Sequence, residues 1–167
     1  DALVPTVTSV SVPNNGSHPV NSLMTFTVNT SENVFVNTTS GTPQIAITIG
    51  SNTRQATFES NSGTQTLVFR YRVVAGEEDT DGITVGALDL NGGTMKDAAG
   101  NDLVTTLNSV GATTAVLVDG IVPTITSVSS SKADGAYKVG EVIGITVTFN
   151  EAVDMNLGCG GSPYITL

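Results

Sequence analysis

Gln65-Thr-Leu-Val-Phe-Arg-Tyr-Arg-Val-Val74 decides how the chain is read. Leu67, Phe69, Tyr71 and Val73 share one parity; Val68, Arg70 and Arg72 share the other. A period of two is that of a strand with one face in a core and one in water. The same rhythm extends in both directions. Towards the N-terminus, Arg54 to Glu59 places Ala56 and Phe58 inward, and Ser60-Asn-Ser-Gly63 turns it into the central strand. Gly41-Thr-Pro43 opens a strand with Ile45, Ile47 and Ile49 inward. Before it, Leu23 to Thr30 alternates Met24, Phe26 and Val28 against Thr25, Thr27 and Asn29. A first strand, Val7 to Val12, is closed by the turn cluster Pro13-Asn-Asn-Gly16.

On the C-terminal side lie the acidic loop Gly76–Gly82 and a strand from Ile83 to Leu90. Loops at Asn91-Gly-Gly93 and Asp97–Asp102 follow. Leu103 to Val118 supplies the last strand, broken near Gly111. No long stretch shows helical spacing. Seven short strands with turn signals between them predict an all-β, Greek-key, immunoglobulin-like β-sandwich, with a closed barrel as the structural alternative. Leu67, Phe69, Tyr71 and Val73 are expected on the core face, opposite Phe26 and Ile47.

The second organising feature is a repeat. Asp1-Ala-Leu-Val-Pro-Thr-Val-Thr-Ser-Val10 returns as Asp119-Gly-Ile-Val-Pro-Thr-Ile-Thr-Ser-Val128. Pro5 to Pro123 is a step of 118 residues, a whole domain rather than a solenoid turn. After one inserted residue the match continues. Ile143, Ile145 and Val147 take the places of Met24, Phe26 and Val28, and Gly161-Ser-Pro-Tyr-Ile165 stands for Gly41-Thr-Pro-Gln-Ile45. Residues 1–118 therefore read as one complete repeat. Residues 119–167 read as the first three strands of a second, with Leu167 opposite Ile47 and no counterpart of Arg54–Val118. Three strands with one apolar face are marginal alone. That face is expected to be completed by a neighbouring repeat of the same protein or by another copy. The beginning at Asp1, in phase with the repeat, suggests a segment of a longer polypeptide.

Composition bounds the partners. The 167 residues carry a net charge of −9, and the six basic residues are scattered. Phosphate backbones and anionic membrane surfaces need clustered Lys and Arg, so neither nucleic acid nor membrane insertion is expected. There is no run of apolar residues long enough for a spanning helix. The single cysteine, Cys159 in Gly158-Cys-Gly-Gly161, excludes an intrachain disulfide and reads as a free thiol or an intermolecular link.

Five phrases, in order, carry a resemblance. They are Gly-Thr-Pro-Gln-Ile-Ala-Ile-Thr-Ile-Gly (41–50), Leu-Val-Phe-Arg-Tyr-Arg-Val (67–73) and Ala-Gly-Glu-Glu-Asp-Thr-Asp-Gly-Ile (75–83), then Leu-Asn-Gly-Gly-Thr-Met-Lys-Asp-Ala-Ala-Gly-Asn (90–101) and Leu-Val-Asp (117–119). Together they resemble the SWM repeat of giant bacterial cell-surface and secreted proteins, a relative of bacterial Ig-like and cadherin-like modules. The resemblance implies tandem arrays outside the cell, stalk or adhesive roles, and no catalysis. The chain departs from the commoner form of that repeat at Asn29-Thr-Ser-Glu32, whereas Phe149-Asn-Glu151 keeps it.

Carboxylates concentrate in the loops. Glu77, Glu78, Asp79 and Asp81 lie within five residues and end at Gly82, like part of a calcium loop, though the bidentate Glu of a full EF-hand is missing. Asp97, Asn101 and Asp102 form a second group. Asp119 is placed in the linker, and Glu32 and Glu151 at corresponding strand ends. By analogy with cadherin-like arrays, Glu77, Asp79, Asp81, Asp97, Asp102, Asp119, Glu32 and Glu151 are the candidate calcium ligands. The alternative is a solvated acidic turn that keeps the end of a sandwich soluble. One histidine, His18 in a turn, with the distant Cys159 makes no zinc site, and Gly-x-Ser-x-Gly is absent. The absence of Trp argues against a sugar-stacking platform, and Tyr137 and Tyr164 read as packing residues. The Asn15, Asn29 and Asn37 sequons read as chance matches.

The leading reading is thus a non-enzymatic structural or adhesive repeat of a large extracellular bacterial surface protein or filament, acting as a rigid spacer. A sugar- or protein-binding adhesin module is the first alternative. An accessory domain of a secreted hydrolase is the second.

Overall fold

A computed structural model describes residues 3–155 and 163–166. The protein is all-β, and its sheets are mainly antiparallel. It divides into two compact units, 1–121 and 122–167.

In the first unit the alternating segments form the expected strands. They are β1 (Val7–Ser11), β2 (Gly16–Pro19), β3 (Leu23–Asn37), β4 (Gln44–Ile49), β5 (Asn52–Ser60) and β6 (Thr64–Arg72). After them come β7 (Glu78–Asp79), β8 (Thr84–Asp89), β9 (Thr94–Lys96) and β10 (Val116–Asp119). The main sheet runs β1-β3-β6-β5-β4-β8, with β9 added to the far end of β3. A smaller sheet runs β2-β10-β7.

One strand explains how a continuous ladder encloses a core. The first half of β5 pairs with β4 from Asn52 to Thr57, and its second half pairs with β6 through Thr57, Phe58 and Ser60. A register shift between Phe58 and Ser60 marks the bend. Thr57 is where the two pairings overlap, and the bend that follows it lets the inner faces of β1-β3-β6 and β4-β8 meet as in a sandwich. Val7, Met24, Phe26, Ile45, Ile47, Leu67 and Phe69 accordingly belong to one buried cluster. Phe69 lies in register with Phe26 on one side and Phe58 on the other, meeting Phe58 edge to face at 5.7 Å.

Several expectations change. The strand expected over Leu103–Val118 is only β10; residues 103–115 follow the edge of the sheet, held by single bridges at Val104 and Val110. β3 runs on to Asn37 because a bulge between Asn29 and Val34 resets its register and brings Val34 back into the core. β2, β7 and β9 are too short to show a period. His18 lies on β2, not in a turn, and its Nε2 is 2.9 Å from the Asn14 carbonyl oxygen. Asp119 ends β10, paired with Pro19 and Glu78, instead of lying in a linker. The first unit extends to residue 121 because Gly76 N–H donates to the Gly120 carbonyl at 2.7 Å and Gly120 N–H donates to Glu77 at 2.6 Å. A Cβ on Gly120 would stand 2.6 Å from the Val74 carbonyl oxygen, so this close backbone approach needs glycine.

The second unit contains β11 (Ile125–Ser130) and β12 (Ile145–Phe149), antiparallel. Residues 163–166 form no strand, and the Cys159 loop and Leu167 lie outside the described residues. The β11–β12 pair reproduces β1–β3 closely. Val7 pairs with Thr30 and Ser9 with Asn29 across a register shift. Ile125 pairs with Phe149 and Ser127 with Thr148 across the same shift.

A reciprocal bond recurs at the same place. Thr6 N–H donates to Ser31 Oγ at 3.0 Å, and Ser31 N–H donates back to the Thr6 carbonyl at 2.9 Å. Thr124 N–H donates to Asn150 Oδ1 at 2.6 Å, and Asn150 N–H donates to the Thr124 carbonyl at 3.1 Å. Ser31, the departure noted in the sequence, therefore supplies the same acceptor as Asn150. Ser31→Ala is expected to cost about 1 kcal/mol by chemical denaturation, the net worth of such a bond. Ser31→Asn is expected to leave stability close to wild type; a loss equal to that of the alanine variant would refute the shared role.

Candidate functional site

The acidic loop folds inward. Glu77 and Asp79 are buried, while Glu78 and Asp81 face water. The cause lies in parity. Arg54 shares the parity of Ala56 and Phe58, and Tyr71 shares that of Leu67 and Phe69. Each strand thereby directs a polar tip towards one end of the core, and a buried charge requires a partner. Glu77 supplies it. Its Oε1 accepts hydrogen bonds from Arg54 Nε and, at 2.5 Å, from the Tyr71 hydroxyl. Its Oε2 accepts from Val74 N–H at 3.0 Å.

Asp79 performs a related task with backbone donors. Its Oδ2 accepts from Gly50 N–H and its Oδ1 from Gly82 N–H, both at 2.7 Å. It thus ties the β4–β5 turn to the loop. At the other acidic turn, Asp97 accepts from the Asn101 N–H at 2.8 Å and from its side-chain amide at 2.7 Å. Asp102 forms an exposed ion pair with Lys96 at 2.6 Å.

Burial by itself would raise the Glu77 carboxyl; the bonds from Tyr71, Val74 and Arg54 outweigh it and hold the carboxyl below its ordinary range. Burial first, and then the Glu77 carboxylate, push the Tyr71 hydroxyl up to about 12. Asp97 is lowered in the same way, its burial outweighed by donors from Asn101 and neighbouring amides. A depressed carboxyl contributes stability above its unfolded pKa, and that contribution is lost as the pH falls through the folded value. The melting temperature is therefore expected to fall as the pH is lowered below the ordinary carboxylate range. Glu77→Gln is expected to cost about 2–3 kcal/mol at neutral pH, modest for a buried ion pair because Arg54 is partly in water, and to flatten the acid decline. An unchanged slope would overturn this account.

Calcium takes about six to eight oxygens around one point. The eight acids singled out in the sequence are spread over several elements of the first unit and, for Glu151, the second. Among the described residues no three of His, Cys, Asp and Glu converge as a metal-binding set. Glu77 is held by a guanidinium, Asp79 by two amides, Asp97 by Asn101 and Asp102 by Lys96. Asp119 and Asp81 are exposed, Glu32 lies in the bulged part of β3, and Glu151 belongs to the second unit. Glu77, Asp79, Asp97 and Asp102 thus have oxygens committed to hydrogen-bond donors in this arrangement. Melting in excess chelator is expected to match melting in millimolar calcium; a rise with calcium would show that the donors yield to the ion.

Sequence reading had placed Tyr71 in the core and missed its partners. The parity of Arg54 was the available signal.

Grooves among the described residues stand apart from this network, and two of them are informative. One of 430 Å³ lies between β8 and residues 105–110, and no charged or aromatic side chain lines it. The other, of 660 Å³, lies within the second unit and is lined by Ile125, Ile143, Ile145, Val147 and Phe149 with Met155 and the 163–165 segment. In the first unit the counterparts of this surface, Val7, Val10 and Phe26, are 2, 2 and 0% exposed; Ile125, Val128 and Ile145 are 60, 58 and 37% exposed. No family model matches the chain, and no curated protein or solved structure matches it.

Proposed function

We propose that the chain is a non-enzymatic structural repeat of a large extracellular bacterial surface protein, joined in series with like repeats as a spacer. The observation that carries this reading is the second unit's reproduction of the first unit's opening. Strand pairing, register shift and reciprocal threonine bond all recur about 118 residues on. A step of one domain is what a tandem array requires. The two buried carboxylates of the acidic loop, Glu77 and Asp79, are committed to internal donors, which suits a scaffold more than a reactive site.

On this reading the apolar face of β11 and β12 is covered by the strands of a neighbouring repeat or of another copy. In the first unit that task falls to β4, β8 and their neighbours. A bare apolar sheet face and its open edges favour association.

The test compares residues 1–121 with 1–167 by light scattering over a concentration series. The longer chain is expected to associate and the shorter to remain monomeric. A monomer at every concentration, with residues 122–155 resistant to protease, would refute completion by a partner. A tandem chain extended through the next full repeat should restore the monomer.

A further inference from the structure

Residues 5–19 and 104–119 of the first unit run side by side in the same direction. Thr6 bridges Val104, Val10 bridges Val110, and Gly16 pairs with Val116, all parallel. The partners differ in number by 98, 100 and 100, so the two segments stay nearly in step along their length. Main-chain bonds join them at each stage. Val104 N–H donates to Pro5 and Gly111 N–H to Val10, both at 2.9 Å, and Gly16 N–H donates to Ala115 at 2.8 Å. In a mainly antiparallel protein, the first and last segments of the unit are thus the parallel exception.

Parallel pairing fixes where the chain emerges. The N-terminal segment begins at one end of the pair, and β10 runs out to Ile121 at the other. Tension applied through the two termini then acts along the strands and in opposite senses on each. The hydrogen bonds between them are loaded in shear and must yield together. Bonds loaded across the strands would open one at a time. Resistance to such loading is set by the unfolding barrier and not by equilibrium stability.

We propose that the pairing of residues 5–19 with 104–119 is a mechanical clamp, which makes the repeat a tension-bearing element as well as a spacer. The proposal rests on the serial-repeat reading for its biological setting, but not for its physics. Two features reinforce the clamp at the exit. β7 pairs with the other edge of β10 through Glu78 and Asp79. Beyond it, Gly120 is bonded in both directions to the Gly76–Glu77 backbone, and the Glu77 side chain is anchored to Arg54 and Tyr71. The load arriving at β10 is therefore shared by two flanking strands and a half-buried ion pair.

Single-molecule pulling on the full chain tests this, with Cys159→Ser so that engineered cysteines alone carry the handles. Handles at Val4→Cys and Ile121→Cys load the pair in shear. Handles at Val4→Cys and Asp102→Cys, which precede the paired segments at the same end, load it as a zipper. The shear geometry is expected to give a several-fold higher unfolding force at equal loading rate, and a shorter distance to the transition state. That distance reports the geometry of rupture, so it decides the matter even where a handle lowers the melting temperature. Equal distances and equal forces in the two geometries would overturn the clamp. They would leave the serial-repeat reading standing, since that fails separately if the longer chain needs no partner or neighbouring repeat.

Discussion

The Glu77 carboxylate is the constraint on which one whole end of the first unit depends. Burying it demands donors, and the donors come from three separate places: Arg54 on β5, Tyr71 on β6 and the Val74 amide just beyond β6. Because these are distant in sequence, satisfying one carboxylate fixes the corner strand against the central strand. It also fixes the loop that carries β7, and the backbone of that loop holds Gly120. The place where the chain leaves the unit is thereby determined by a charge far from it in sequence. An ion pair of this kind adds less net stability than its Coulomb energy suggests, since desolvation offsets most of it. Its larger effect is to make the wrong arrangement costly, because any other packing would leave a charge buried without a partner.

The apolar core supplies the stability that this network directs. Phe26, Phe69 and Phe58 form a row across β3, β6 and β5, and Ile45, Ile47 and Ile49 add the inward face of β4 to the same buried cluster. The corner in β5 is what permits a single hydrogen-bonded path to supply both layers. A register shift of this kind bends the strand that carries it and increases its local twist. The shift between Phe58 and Ser60 follows Phe58, so the bend comes after the last aromatic residue has been delivered to the row.

Legibility in the sequence followed length and period. β3, β4, β5 and β6 have enough residues to display alternation, and their inward sets were readable as Met24–Val28, Ile45–Ile49, Ala56–Phe58 and Leu67–Val73. β2, β7 and β9 have four, two and three residues, too few for a period, and exist because neighbouring strands offer them partners. The acidic loop was misleading for a related reason. A run of Glu and Asp reads as solvated when only composition is weighed, yet parity had already placed an arginine and a tyrosine facing inward. Their donors were the physical clue that one carboxylate would be internal. Asp79 could not be found that way, because its donors are backbone amides and leave no trace in side-chain identity.

The two copies of the opening separate what is local from what is tertiary. With no strand formed in place of β4 to β10 among the described residues, β11 and β12 still adopt the pairing, register shift and threonine bond of β1 and β3. Those features therefore arise from the local sequence and the reciprocal bond at Thr6 or Thr124. Burial does not arise in that way. Ile145 occupies the position of Phe26 but remains exposed, because burial is supplied by strands that the shorter copy does not contain. An array built from such units would thus gain its pairing geometry within each opening segment and its core only when the rest of the repeat closes over it. The parallel contact between the first and last segments belongs to that closure, because one of its two segments ends the unit. It is also the first to meet any tension along the chain, which is why the direction of that pairing matters more to a spacer than the total stability of its core.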